Sequence, residues 1–345
     1  MIRSLKLLLL VSIMAFFVTH GSFGYFTAQA TSPRNSITAG TLYLGKDETN
    51  KGILDGSLKL EKMIPGESPR EFRLTIKNVG NLNAYINGLS ASIKESDSKF
   101  MANAIRVTCA GPGGEKLYSG SLLSLDGNAV PTENEVVIEP GDTKILTFTF
   151  QLDHRAGNWY KGKNIETSLI VHAGQSPGLK PDSNVVVTAV DLQGAVHQVK
   201  PGGVILVPAG EYGKLEVNRS DVTIKSKDVV YDTLLAGISF TGQAQNVAVQ
   251  GFTIDGRDNL YNPLSIADSS TGITITDNIF LNDKRDGKSV PKFIIVGKST
   301  GISIQRNDFS AMAGGKWKPR VISADGSQTI RYNLGLDLDP SVEAL

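Results

Sequence analysis

The sequence reads VTIKSKDV from Val222, and the same pattern returns as VAVQGFTI from Val247, ITITDNIF from Ile273, ISIQRNDF from Ile302 and QTIRYNLG from Gln328. These starting residues are 25, 26, 29 and 26 positions apart. Self-similarity at such a period is the signature of a repeat architecture in which each unit buries its apolar face against its neighbours. The five segments therefore predict successive coils of a parallel β-helix.

Two positions of the repeat predict ladders of stacked side chains. The third position is a β-branched apolar residue in every copy, so these residues should stack along the interior. The sixth position is asparagine in the last three copies, and stacked asparagines at a corner can hydrogen-bond to one another and to buried turn groups. The predicted interior ladder is Ile224, Val249, Ile275, Ile304 and Ile330, and the predicted structural ladder at the corner is Asn278, Asn307 and Asn333.

The segment that leads into the repeat is VKPGGVILVPAGEYGKLEVNRSDVTIKS, which ends at Ser226 and follows a predicted capping helix over 189–199. It resembles the first coil of pectin-lyase-like right-handed β-helix proteins, and the resemblance covers residues 185–335. It implies a right-handed parallel β-helix but no particular activity, because this fold carries lyases, hydrolases, binding modules and inert stalks. Residues 336–345 remain as a C-terminal tail.

The first half of the chain contains short segments rich in Ile, Val, Leu, Thr and Phe, separated by turn signals such as PGE at Pro65 and PGD at Pro140. In TKILTFTFQL, which ends at Leu152, apolar residues alternate with threonines, so one face of that strand should be buried. About eight such strands predict an antiparallel sandwich over residues 25–175. A Pro-, Gly- and Ser-rich linker follows at 176–184.

A second resemblance covers residues 20–175. Its motifs are YFTAQATSPRNSITAGTLYLG after Gly24, IPGESPREFRLTIKNVGNLNAY, and IEPGDTKILTFTFQLDHRAGNWYKGKNIETSLIVHAGQ, which ends at Gln175. In these motifs the chain is similar to the TasA/camelysin family of secreted matrix-fibre proteins. The resemblance implies a jelly-roll-like sandwich that assembles into extracellular fibres, with the freed N-terminal segment completing the sheet of the next subunit.

Apart from the resemblance, the segment after the signal peptide is physically suited to act as a donor strand. Added to an exposed sheet edge of a neighbour, it would bind through backbone hydrogen bonds while alternate side chains fill pockets. The candidate donor residues are Phe26, Ala28, Ala30 and Ile37. The alternative is an edge strand folded onto its own domain.

Export is predicted by Arg3 and Lys6 ahead of an apolar run over 7–18. This is the layout of a signal peptide, and twelve residues are fewer than the ~20 that a membrane span requires. We expect residues 1–24 to be removed, with cleavage after Gly24 or after Ala30, and no membrane span afterwards. The mature protein is then secreted, at the cell surface or in the extracellular matrix.

Composition narrows the functional classes. The chain has 35 basic and 34 acidic residues, so its charge is nearly balanced and gives no reason to expect binding to nucleic acid. The lone Cys109 cannot form an intramolecular disulfide, and its neighbours predict a buried strand position. None of the four histidines forms an H-E-x-x-H motif, so although camelysin is classed as a metallopeptidase, no metal, other cofactor or peptidase activity is predicted.

Two roles remain open for the β-helix. The alternative function is that of a secreted polysaccharide lyase or glycoside hydrolase. Its candidate catalytic groups are Asp255, Asp258, Asp283, Asp286 and Lys284-Arg285. These residues form no recognised catalytic motif, so no catalytic residue is assigned. Polysaccharide contact without catalysis would use Tyr261, Trp317, Lys316, Lys318 and Arg320, although Trp317 is also suited to covering the end of the β-helix.

Together these observations predict an all-β protein, an antiparallel jelly-roll-like sandwich followed by a short right-handed parallel β-helix. The leading hypothesis is a surface or biofilm-matrix protein that self-associates into fibres, with the β-helix as a stalk or carbohydrate-contacting module.

Overall fold

The computed structural model describes residues 27–31, 44–46, 58–94, 96, 99–178, 185–188, 191–242, 244–255, 263–281, 292–295, 299–309, 320–322 and 329–331. The described part is nearly all β, with antiparallel sheets in the first half of the chain and parallel sheets in the second. The predicted fold class, an all-β sandwich followed by a parallel β-helix, is confirmed.

The first half is a sandwich of two antiparallel sheets. One sheet has the order β1-β10-β5-β8, with β3 also paired to β10, and the other has the order β2-β4-β9-β6-β7. The strands are β1 Thr27–Thr31, β2 Leu44–Lys46, β3 Leu58–Glu61, β4 Arg70–Asn78, β5 Ala84–Ile93, β6 Ile105–Ala110, β7 Lys116–Ser121, β8 Val130–Ile138, β9 Thr143–Leu152 and β10 Asn164–Gly174. Short helices lie between them at Lys99–Asn103, at Leu122–Leu125 (α1) and at Asn158–Tyr160.

The alternation predicted for β9 is confirmed and builds the sandwich core. Its apolar face, Leu146, Phe148, Phe150 and Leu152, is at most 1% exposed, whereas Ile145 on the other face is 45% exposed. Cys109 lies on the neighbouring strand β6 and is buried in the same core, as predicted. Burial raises the pKa of this thiol to about 12, so it is an inert core residue rather than a nucleophile.

The second half coils through two parallel sheets. One has the order β11-β12-β14-β16-β19-β22-β24, and the other has the order β20-β17-β15-β18-β21-β23, with β13 also paired to β15. The strands are β11 Val185–Val187, β12 Gly203–Val207, β13 Gly210–Val217, β14 Ser220–Ser226, β15 Thr233–Phe240, β16 Gln245–Gln250, β17 Thr253–Asp255, β18 Leu264–Ile266, β19 Thr274–Thr276, β20 Ile279–Leu281, β21 Lys292–Ile295, β22 Ser303–Gln305, β23 Arg320–Ile322 and β24 Thr329–Arg331.

The predicted interior ladder is confirmed by the strand register. Ile224 is paired with Val249, Val249 with Ile275, Ile275 with Ile304, and Ile304 with Ile330. The first four of these side chains are fully buried. A second interior ladder runs through the other sheet, where the rings of Phe280 and Phe309 stack with centroids 4.6 Å apart.

A helix closes the start of the β-helix, as predicted. It is α2, Leu192–Gln198, and its N-cap Asp191 accepts a hydrogen bond from the backbone N–H of Gly194. Leu192 and Val196 are buried in the β-helix core. Within the described residues, no helix is both long and apolar enough to cross a membrane.

Candidate assembly site

The candidate assembly site is the edge of β10. On one side β10 pairs with β5, and on the other it pairs with two short strands that lie end to end. β3 covers its first part, Asn164–Thr167, and β1 covers its last part, Ile170–Gly174. The last five residues of β10 would therefore present a free edge if β1 left.

The register of β1 places two of the predicted donor residues opposite core residues of β10. Ala28 lies opposite Ala173 and Ala30 lies opposite Val171. Ala173 and Val171 are 1% and 0% exposed and belong to the sandwich core. The other two candidates, Phe26 and Ile37, lie outside the described residues.

β1 pairs with β10 of its own chain in this structure. This arrangement is that of the edge-strand alternative. Exchange between copies would keep all five residue pairs and change only the chain from which β1 comes.

A polar pair lies on the outer face of the same sheet. His172, which is opposite Gln29 of β1, has its Nε2 at 2.7 Å from the Oγ of Ser90 on β5. Burial lowers the pKa of His172, which favours the neutral imidazole. Ser90 and His172 are 6% and 8% exposed within continuous strands, so a substrate has no access to the hydroxyl. We assign the pair to sheet packing rather than to nucleophilic catalysis.

Two residues of the predicted asparagine ladder are stacked and buried. The side-chain amide of Asn278 donates to the Oδ1 of Asn307 at 3.1 Å, and the Asn307 amide donates to the Ile275 carbonyl at 2.9 Å. Asn278 in turn accepts from the backbone N–H of Phe252 one coil earlier. Each amide therefore satisfies turn groups of adjacent coils. Asn333 lies outside the described residues.

Of the residues predicted to contact carbohydrate or to take part in catalysis, the structure describes only Asp255 and Arg320. Asp255 is the last residue of β17 and is half-buried, and Arg320 is the first residue of β23. The remaining candidates are outside the described part of the chain: Asp258, Tyr261, Asp283, Lys284, Arg285, Asp286, Lys316, Trp317 and Lys318. The described residues contain no group of three or more His, Cys, Asp or Glu side chains that could hold a metal ion.

The junction between the sandwich and the β-helix was not predicted from the sequence. Leu206 of β12 is buried in the sandwich core cluster, and the Asn103 side-chain amide donates to the carbonyl of Asp277 at 2.6 Å. Two backbone hydrogen bonds also cross the junction, from Ser121 to Lys227 and from Val230 to Asn103. The β-helix is thus packed directly against the sandwich.

Charged groups surround this junction. Arg106 and Arg155 of the sandwich both donate to the carboxylate of Asp232 in the β-helix. Lys225 of β14 is only 3% exposed, and its Nζ donates to the carbonyls of Leu123 and Asp126. The sequence pattern predicts that a lysine on the outward face of a strand is solvated. Only the contact with the sandwich shows that Lys225 is buried.

No family model matches the chain, and no curated protein matches it.

Proposed function

We propose that this chain is a secreted structural protein of the cell surface or extracellular matrix that assembles into fibres by exchange of its N-terminal strand. The β-helix serves as a stalk or as a module that contacts polysaccharide. The observation that carries the proposal is the pairing of β1 with the edge of β10, in which Ala28 and Ala30 lie opposite the buried Ala173 and Val171. The similarity of the sequence motifs to TasA/camelysin proteins supports it.

Exchange is physically reasonable because β1 is short and sits at an edge. The 12 residues between β1 and β2 can extend over about 40 Å, which allows the strand to reach a neighbour. The same contacts form within one chain or between chains, so protein concentration decides between them. Donation from one subunit to the next is a head-to-tail interaction, which produces an open filament rather than a closed ring.

Negative-stain electron microscopy of the mature chain tests the proposal. The wild type should form filaments at high concentration, and deletion of Tyr25–Ser36 should leave a folded monomer. Filaments from the truncated protein would rule out strand exchange.

A point substitution sharpens the test. Ala30→Asp puts a carboxylate opposite the buried Val171, where an unpaired charge costs several kcal/mol, so filaments should be lost. Thr31→Asp is the matched control, because Thr31 lies opposite Ile170, which is only partly buried. Equal filament formation by both variants would contradict the assigned register.

A further inference from the structure

The sandwich contacts the side of the β-helix over four consecutive coils. The strands of these coils, β12, β14, β16 and β19, are neighbours in one parallel sheet. Three of the contacts are made by Leu123 of α1 or by Asn103 of the short helix before it. The residue that touches the sandwich in each coil is, in order, Leu206, Lys225, Gly251 and Asp277. The sandwich therefore lies along the β-helix rather than at its end.

A contact of this extent changes how a repeat structure can unfold. Each coil of a repeat protein ordinarily contacts only the coils before and after it, so folding and unfolding can start anywhere and spread coil by coil. Here a coil cannot open without also losing its contact with the sandwich. The sandwich thus ties together four coils that would otherwise depend only on their neighbours.

The apolar part of the junction belongs to the sandwich core. Leu206 is fully buried in the same cluster as the apolar face of β9. Val185, Val204 and Tyr231 of the β-helix are partly buried and pack against that cluster. The β-helix therefore completes the core of the sandwich, and separating the two halves would expose apolar surface on both.

Buried polar groups at the junction take their partners from the other half. The Asn103 side chain donates to the Asp277 carbonyl at 2.6 Å, and the Asn103 carbonyl accepts from the Val230 N–H at 2.8 Å. The Ser121 N–H donates to the Lys227 carbonyl, also at 2.8 Å. A partial opening that admits no water would leave these groups without partners, which is unfavourable. The junction should therefore open completely or not at all.

Ion pairs at the rim of the junction contribute less. Arg106 and Arg155 of the sandwich pair with Asp232 of the β-helix, and Lys227 of the β-helix pairs with Glu133 of the sandwich at 3.4 Å. The two arginine side chains are 32% and 38% exposed. Exposed ion pairs add little stability and are screened by salt. The buried contacts, rather than the ion pairs, should hold the two halves together.

We propose that the sandwich is a lateral brace for the β-helix, so that the two halves fold and unfold as one cooperative unit. The chain is then not a pair of modules on a tether, although its sequence has a Pro-, Gly- and Ser-rich segment at 176–184. The β-helix keeps a fixed orientation on the sandwich. The contacts that form the brace do not involve β1, so the proposal stands or falls independently of strand exchange.

Cutting the chain between the two halves tests the brace directly. A recognition site for a specific protease, inserted after Gly178 of the mature full chain, allows the folded protein to be cleaved there. The two fragments should elute together in gel filtration, both in low salt and in about 1 M NaCl. Fragments that separate without denaturant would overturn the proposal. Separation in high salt alone would also overturn it, because the rim ion pairs would then be what holds the halves together.

Hydrogen exchange measured by mass spectrometry at increasing urea concentration reports on each half separately. Ile275→Val removes one methylene from the β-helix core, and Ile138→Val removes one from the sandwich core; both isoleucines are fully buried. Each variant should lower the urea midpoint of exchange in β9 and in β19 by the same amount, because a single cooperative unit loses stability as a whole.

Val137→Ala is the control for these variants. It shortens an aliphatic side chain that is 39% exposed, so it should shift neither midpoint. A shift confined to the half that carries the substitution would show that the sandwich and the β-helix unfold independently, and the proposal would be wrong.

Discussion

Lys225, which is buried at the junction, should make the free energy of unfolding increase as pH rises from 7 to 9.5. The Lys225 ammonium lies between the sandwich and the β-helix and donates to the Asp126 carbonyl at 3.1 Å. Burial lowers the pKa of Lys225 to about 8, an effect that nearby Asp126 and Asp277 oppose and that Lys99 reinforces. At neutral pH the folded protein therefore holds a cation that has lost much of its hydration.

The size of the effect follows from the difference between folded and unfolded states. An unfolded lysine has a pKa of about 10.4. Between the two pKa values the unfolded state binds more protons than the folded state, so the free energy of unfolding increases as pH rises. For a folded pKa of about 8, this linkage gives a gain of about 2 kcal/mol between pH 7 and pH 9.5. Below pH 7 the gain from Lys225 is absent.

Urea unfolding at half-unit pH steps measures this gain. The wild type should gain about 2 kcal/mol more than Lys225→Met from pH 7 to pH 9.5, because methionine carries no proton. Lys214→Met is the same substitution at an exposed position of β13 and serves as the control. Burial also raises the pKa of the Cys109 thiol, which acts in the opposite sense within this range, but its contribution is the same in both proteins and cancels in the comparison. Above pH 10 the buried phenols of Tyr118 and Tyr231 act in the same way as the thiol, so the series stops at 9.5. Parallel pH profiles for wild type and Lys225→Met would refute the reasoning.

Three substitutions test other contacts by urea unfolding. Asn307→Ala should lower the free energy of unfolding by about 1–3 kcal/mol, because it leaves buried groups of the adjacent coil without partners. A loss below about 0.5 kcal/mol, as for a surface substitution, would contradict the asparagine ladder. Phe309→Ala should cost about 3–5 kcal/mol, since a fully buried ring that stacks on Phe280 is lost, and a smaller cost would mean that the coil collapses around the gap. Gly251→Ala should cost about 1–3 kcal/mol, because Gly251 has a φ of 78° and an added Cβ would lie 3.0 Å from Leu123; an unchanged midpoint would show that the turn relaxes.

The repeat in the sequence was sufficient to predict the β-helix and its register. Every coil must present its β-branched residue to the same interior, so the spacing of Ile224 and Val249 already fixes which residues become neighbours. The asparagines were predictable for the same reason, because a polar residue that recurs at a corner can bond its own copy one coil away. In the sandwich, the alternation in β9 likewise predicted the buried face.

The junction could not be predicted in this way. The pattern of β14 places Lys225 on the outside of the coil, and periodicity does not show which outside faces meet another part of the protein. Leu206 is a similar case, because its side chain leaves the β-helix and enters the sandwich core. The sequence also does not show whether β10 pairs with β1 of its own chain or with β1 of a neighbouring subunit, because the paired residues are the same in both cases.

The proposed exchange of β1 and the packing of the β-helix against the sandwich involve different parts of the sandwich, so we expect neither to affect the other. β1 pairs with β10 in one sheet, whereas Ser121 at the end of β7 in the other sheet bonds to Lys227. If β1 is exchanged as proposed, a subunit keeps its β-helix in place, and a fibre would carry one β-helix per subunit. It follows that Lys225→Met, which alters the junction, should change the pH dependence of unfolding and leave the yield of filaments unchanged. A loss of filaments in this variant would show that the two sites are coupled through the core that they share.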